Sequence, residues 1–212
     1  MKTVGISKAV LKRLPAYVAY LKSLPEDGPA NISATALAAA LSMGEVQVRK
    51  DLALVSNGGR PKVGYLRESL IADIERFLGY DNTTEAVLIG AGKLGRALMG
   101  YSGFAEYGLE IVAAFDENPS LDGQLESGKP IYSMGRLAEF CREKKILMGI
   151  ITVPAGAAQA VCDQLIDNGI KAIWTFAPKH LDVPEGILVQ YENMATSLAV
   201  LSVHLAAQIG GK

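Results

Sequence analysis

The stretch from Ala86 to Leu98, Ala-Val-Leu-Ile-Gly-Ala-Gly-Lys-Leu-Gly-Arg-Ala-Leu, constrains the fold more than any other part of the chain. An apolar run suited to a buried strand enters three glycines spaced Gly-x-Gly-x-x-Gly and leaves with helical periodicity. In such a turn Gly90 permits the reversal after the strand, Gly92 lets a pyrophosphate approach the backbone, and Gly95 lets helix and sheet pack closely. The phosphates would sit on free N–H groups at the helix start, favoured by the helix dipole. In a chain with 22 glycines among 212 residues that spacing decides little by itself. The context strengthens it. A second strand-like run, Glu110 to Phe115, ends in Asp116, 21 residues past Gly95, where a carboxylate accepts hydrogen bonds from a ribose.

Beyond residue 84 strand-like and helical stretches alternate, as in a mostly parallel sheet covered by helices. Strands are predicted at 86–89, 111–115, 131–132, 148–153, 172–175 and 187–190. In a doubly wound sheet the ligand lies at the carboxyl ends of the strands, so the loop Thr152-Val153-Pro154-Ala155 should line the nicotinamide side of a dinucleotide. A plain strand-to-helix turn is the competing reading of that loop.

The first 80 residues differ in character. They hold 11 Lys/Arg against seven Asp/Glu in a chain whose net charge is −1, which suggests an anionic partner or simply a solvated surface. From Ser7 to Leu24 the residues Val10, Leu14, Tyr17, Leu21 and Leu24 recur at helical spacing, with Pro15 marking a kink or a helix start. Ser33 is placed to cap an alanine-rich helix through Leu41. Ser42 and Glu45 have the spacing of a capping box at the head of a third helix, which runs to about Ser56. In that helix Val48, Leu52 and Val55 share a core-facing stripe, while Val46, Lys50 and Ala53 lie opposite, flanked by Gln47 and Arg49. Small and apolar side chains mixed with Lys, Arg and Gln can enter a DNA major groove. Next, Asn57-Gly58-Gly59 signals a reversal, and Arg60 to Tyr65 reads as a short hairpin with basic residues at its tip. Three helices and a basic hairpin match a winged helix-turn-helix, or else a small helical cap on an enzyme. An amphipathic helix over 66–78 and a linker over 79–84 close this part.

The last helix, 195–209, is apolar around most of its circumference and must be buried, in its own chain or in a partner subunit. Cys141 and Cys162 lack metal-ligand spacing and read as inert buried thiols, so no metal is expected. With no secretory leader or membrane-length apolar run read in the sequence, the expected compartment is the cytoplasm, without a membrane partner. Groups suited to acid–base work on a hydride substrate are scarce: His180 lies in a loop, His204 in the apolar last helix, and neither Tyr101 nor Tyr107 has a Lys four residues on. No catalytic residue is assigned.

Together Val48-Arg49-Lys50-Asp51-Leu52, Gly64-Tyr65, Gly90 to Gly95, Tyr101-Ser102-Gly103-Phe104 and Phe176-Ala177-Pro178 closely resemble the Rex family of bacterial redox-sensing repressors, over nearly the whole chain. The resemblance implies a homodimer in which winged helices bind a palindromic operator and Rossmann domains bind NADH or NAD⁺, with NADH releasing the DNA. It also implies that the last helix reaches into the partner subunit. The expected domains are a winged-helix domain over 1–80, a Rossmann-like doubly wound parallel α/β domain over 81–194, and a dimerisation helix over 195–212. The expected cofactor residues are Gly90, Ala91, Gly92, Lys93, Leu94 and Gly95 of the turn, Asp116, Val153 and Pro154, with Tyr101 implied beside the nicotinamide. The expected DNA-facing residues are Val46, Gln47, Arg49 and Lys50 on the third helix and Arg60, Lys62 and Tyr65 on the wing. Relatives often carry an Asp where this chain has Ala195, and some an Arg where it has Ala19, so an interdomain latch of that kind must be built otherwise here. Glu117 beside Asp116 adds a second carboxylate that would repel a ribose phosphate, favouring NAD(H) over NADP(H). The alternatives are an NAD-dependent oxidoreductase with a helical cap and a nucleotide- or coenzyme A-binding accessory protein.

Overall fold

A computed structural model describes residues 7–210. The chain forms two compact units that meet between Asn82 and Thr83. The first contains α1 (Lys8–Ser23), β1 (Asn31–Ile32), α2 (Ala34–Ala40), α3 (Glu45–Val55), β2 (Tyr65–Leu66) and α4 (Arg67–Leu78). Ser7 caps α1, its hydroxyl accepting from the Val10 N–H at 3.4 Å, and the helix continues through Pro15 instead of restarting there. Its buried stripe of Val10, Leu14, Tyr17 and Leu21 packs in one cluster with Leu37 of α2, Val48 and Leu52 of α3, and Leu70 and Ile74 of α4.

The head of α3 departs from the expected capping box. Ser42 sits in the left-handed region at φ 53°, and the N-cap is Gly44, with no side-chain cap. Ser42 is needed to end α2: its N–H bonds the Ala39 carbonyl at 3.3 Å, and the Met43 N–H bonds Ala38 at 2.9 Å. That paired C-terminal closure makes the helix-to-helix turn tight and leaves Ser42 unable to reach α3. The wing is also smaller than a full hairpin. Arg60 and Gly64 exchange two backbone hydrogen bonds of 2.9 Å, and the following β2 pairs with β1, with Ile32 opposite Tyr65. Gly64 has φ 87°, and a Cβ there would collide with the Ile32 carbonyl, so only glycine lets the wing fold back across β1.

The second unit carries β3 (Thr84–Ile89), α5 (Lys93–Gly100), β4 (Leu109–Asp116), β5 (Leu125–Glu126), β6 (Lys129–Ser133), α6 (Leu137–Lys144), β7 (Met148–Ile151), α7 (Ala155–Asp167), β8 (Ala172–Thr175), β9 (Leu188–Tyr191) and α8 (Met194–Gly210). One sheet runs β5-β6-β4-β3-β7-β8-β9, parallel throughout except for the short edge strand β5. The chain works outward from β3 through β4 to β6, then returns to β7 on the other side of β3. That reversal is the doubly wound order, and it opens a crevice between the ends of β3 and β7. Two apolar layers cover the sheet, one around Val87, Phe115, Ile151 and Leu165, the other around Leu88, Met99, Ile111 and Ile150. Cys141 and Cys162 are buried in the first layer, and burial pushes both thiols up. Of the two settings expected for helix α8, its own chain does not supply the burial: Leu198, Leu201, Val203 and Ile209 are all more than 60% exposed. Among the described residues no helix is long and apolar enough to cross a membrane, and no group of three potential ligands could hold a metal ion.

Candidate functional site

At the crevice, the Thr152 N–H bonds the Ile89 carbonyl at 2.9 Å, and the Thr152 hydroxyl donates to the Gly90 carbonyl at 2.7 Å. These bonds tie the glycine turn to the end of β7. Gly90 has φ 101°, where a side chain would run into Val153. A Cβ on Gly95 would strike the Gly90 carbonyl, so the turn can pass beneath α5 only if that residue is glycine. At Gly92, by contrast, a Cβ would meet nothing within 4 Å. Absence of a side chain there keeps the approach to the helix start clear, which is what a pyrophosphate requires. Gly92 is the N-cap of α5 and Lys93 and Leu94 its first residues, so their N–H groups point out of the helix without intrahelical partners. Arg96 braces the turn from behind, donating to the Ala91 carbonyl at 3.0 Å and pairing with Glu126 at 3.3 Å.

A cavity of about 450 Å³ opens beside this turn. Five of the expected cofactor residues line it: Gly90, Gly92, Asp116, Val153 and Pro154. Ala91, Lys93, Leu94 and Gly95 shape its rim from the turn without lining it. Asp116 closes β4, its Oδ2 accepting from the Ala91 N–H at 2.7 Å and its Oδ1 from the Asn118 N–H at 2.8 Å. Two acceptor positions of the carboxylate remain for ribose hydroxyls. Tyr101 stands elsewhere, over a second cavity of about 410 Å³ that it shares with Phe104 and Lys129, and its ring meets Phe104 edge-on at 4.9 Å. Residues missed in the sequence complete the first cavity: Met134, and the face Ala157, Ala160, Val161 and Gln164 of α7. The spacing of that face, three then one then three, is a helix stripe and could have been read from the sequence. The size and mainly apolar lining suit part of a dinucleotide.

In the first unit α3 presents Val46, Gln47, Arg49 and Lys50 to solvent. Glu45 holds Arg49 in an ion pair one turn apart. Arg60 and Lys62 are exposed on the wing. Tyr65 is half-buried, packed against the helical core below Gly59. The residue that sequence reasoning passed over is Asp51, a carboxylate only 3% exposed on the inner side of α3. Arg13 of α1 grips it with Nε at 2.8 Å and Nη2 at 2.9 Å, and the Tyr17 hydroxyl donates to it at 2.8 Å. Burial and the bond to Asp51 push the Tyr17 phenol up to about 12.

The comparisons with known proteins decide the family. Residues 5–53 match the model described as "Putative DNA-binding protein N-terminus", and residues 81–179 match that of the CoA binding domain. A protein of Porphyromonas gingivalis named redox-sensing transcriptional repressor Rex is 42% identical over 196 residues, which span 92% of this chain and 90% of that one. The chain belongs to the Rex family. Among solved structures, that of RSP in complex with β-NAD⁺ and operator DNA aligns with a TM-score of 0.90 at 33% identity, covering 98% of this chain and 95% of that one. RSP in complex with β-NADH aligns at 0.87 with the same identity, covering 98% of this chain and 97% of that one.

Proposed function

We propose that this chain is a redox-sensing transcriptional repressor that binds operator DNA through α3 and the wing, and NADH or NAD⁺ at the crevice of its doubly wound sheet. The observation that carries the reading is the pairing, in one Rex-family chain, of an exposed reading helix with a nucleotide cavity suited to binding without turnover. Among the described residues lining that cavity only Asp116 and Glu117 are ionisable. Both are better placed to bind hydroxyls than to exchange a proton with a carbonyl substrate. Bound cofactor supplies the signal, its redox state. The chain's residues supply the grip: Gly92 and the N–H groups at the head of α5 for the pyrophosphate, Asp116 for the ribose, Val153 and Pro154 toward the nicotinamide, and Tyr101 near that ring. Asp116 and Glu117 together disfavour a 2′-phosphate.

The working unit is a homodimer. Among its described residues helix α8 exposes six large apolar side chains, Leu198, Val200, Leu201, Val203, Leu205 and Ile209, and a second copy buries them symmetrically. A two-fold dimer matches a palindromic operator, and a repressor of this kind works in the cytoplasm. The test is a titration of the protein on a labelled palindromic duplex selected from a random pool, alone and with NADH, NAD⁺ or NADPH. Release by NADH but not by the other two is expected. Tight NADH binding without any DNA binding would overturn the reading.

A further inference from the structure

Arg13 does more than satisfy a buried carboxylate. Its Nε and Nη2 face Asp51, and Nη1 faces the amide of Gln47, one turn before Asp51 on the same helix α3. A guanidinium has only donors, so the amide end that faces it must be the oxygen. So oriented, the Gln47 Oε1 accepts from Arg13 Nη1 at 2.8 Å and from Nε at 3.2 Å. The Nη1 bond turns that oxygen inward, the single Nε hydrogen being shared with Asp51, and the NH₂ with its two N–H donors is left as the outward end of the amide. Arg13 is itself fixed, because Asp51 is buried and accepts two bonds from its guanidinium and a third from the Tyr17 hydroxyl. The chain of contacts therefore runs from the core outward: Tyr17 and Asp51 hold Arg13, and Arg13 holds Gln47.

A free glutamine is a two-sided reader. Its oxygen and nitrogen together match the donor and acceptor edge of adenine, the N6 amino group and N7. Gln47 lacks the acceptor half of that pair. We infer that Gln47 reads as a donor only, selecting a base edge made of acceptors, as guanine presents with O6 and N7, and that Arg13 is the positioning residue that removes adenine from its repertoire. The residue sits in the first turn of α3, exposed, where a reading helix meets base edges. This inference rests on the DNA-binding reading and adds to it the base class read at one position of each half-site.

The test uses the full-length protein and a pool of duplexes with a randomised core, sequenced after selection. The position whose base preference disappears in Gln47→Ala is the position Gln47 reads. Wild type is expected to enrich guanine there. Gln47→Glu keeps an oxygen for Arg13 but turns a second oxygen outward, so guanine at that position should be disfavoured by roughly tenfold to a hundredfold and cytosine, which offers an amino donor, enriched. Arg13→Lys cannot grip Asp51 and Gln47 together, and should admit adenine at that one position while preferences elsewhere stay as they were. A purely structural role for Arg13 would instead weaken binding evenly at all positions. Adenine enriched by wild type at the Gln47 position, or a Gln47→Glu profile identical to wild type, overturns the inference and leaves the DNA-binding reading standing. A pool that yields no enriched sequence for wild type overturns both.

Discussion

Replacing Asp116 by Ala removes one carboxylate and should reverse the order in which two cofactors are preferred. In the structure that carboxylate already accepts from the Ala91 and Asn118 N–H groups, leaving two acceptor positions for the ribose diol. Hydrogen bonds to a charged group contribute about 1.5–3 kcal/mol each. Asp116 is half-buried, so the lower figure applies, and two ribose bonds amount to about 3 kcal/mol. The NADH Kd should therefore rise on the order of a hundredfold. For NADPH the same substitution also removes a repulsion: a unit charge pair about 5 Å apart at an effective dielectric constant near 20 is worth about 3 kcal/mol. The NADPH Kd should hold steady or fall, and the ratio of the two constants should shift by about two orders of magnitude. Isothermal titration with each cofactor in turn measures it. Asp116→Asn, which keeps one acceptor, should show a smaller loss for NADH with the same relief for NADPH. An unchanged ratio refutes the assignment, and equal loss of both cofactors would mean that Asp116 serves only to hold the Ala91 turn.

Lys50→Ala should weaken binding to every duplex sequence by a similar factor and lower the salt slope by about one, measured by anisotropy at several salt concentrations, while the NADH Kd stays constant. Leu201→Glu, which charges the exposed apolar face of α8, should shift the protein to monomer in analytical ultracentrifugation and abolish tight operator binding. Tyr17→Phe tests the buried cluster through pH. Because the folded phenol titrates near 12 rather than 10, its stabilisation is complete below pH 10 and is lost as pH rises from 10 to 12. Wild type should be the more stable by about 1 kcal/mol at neutral pH in urea unfolding, and that advantage should shrink and then reverse as pH rises from 10 to 12.

What could be read from the residues was whatever repeats with a fixed period or depends on glycine. The strands of the sheet were visible as apolar runs, and the turn as three glycines whose roles the packing around Gly90 and Gly95 explains. The stripes of α1 and α3 were visible because helical spacing is local. Ser42 shows where such reasoning fails: its spacing to Glu45 fits a capping box, but closing the previous helix requires the same residue in the left-handed region. Two neighbouring helices competed for one residue, and a pattern within either helix alone does not reveal that. The short strands β1, β2 and β5 were missed for a related reason, since two residues have no period. Asp51 reads as one more charge on an exposed helix until Arg13, 38 residues earlier, is brought against it.

That pairing also bears on how the two ligands can influence each other. A ligand shifts DNA affinity only by the difference in its own affinity for the DNA-competent and DNA-incompetent states, and DNA then shifts that ligand's affinity by the same factor. In this chain the positions where relatives can carry a latch of opposite charges are Ala19 and Ala195, both exposed and both without charge. No ion pair at those positions can store the difference. The reading helix, meanwhile, is fixed to α1 by a buried, bidentate Arg13–Asp51 pair whose loss would leave a carboxylate unpaired in the core, typically a cost of about 3–5 kcal/mol. Coupling free energies of about 1–3 kcal/mol are too small to break it. The winged-helix unit is therefore expected to keep its internal geometry when ligand binds, and in the proposed dimer NADH would act on where intact units stand relative to the operator.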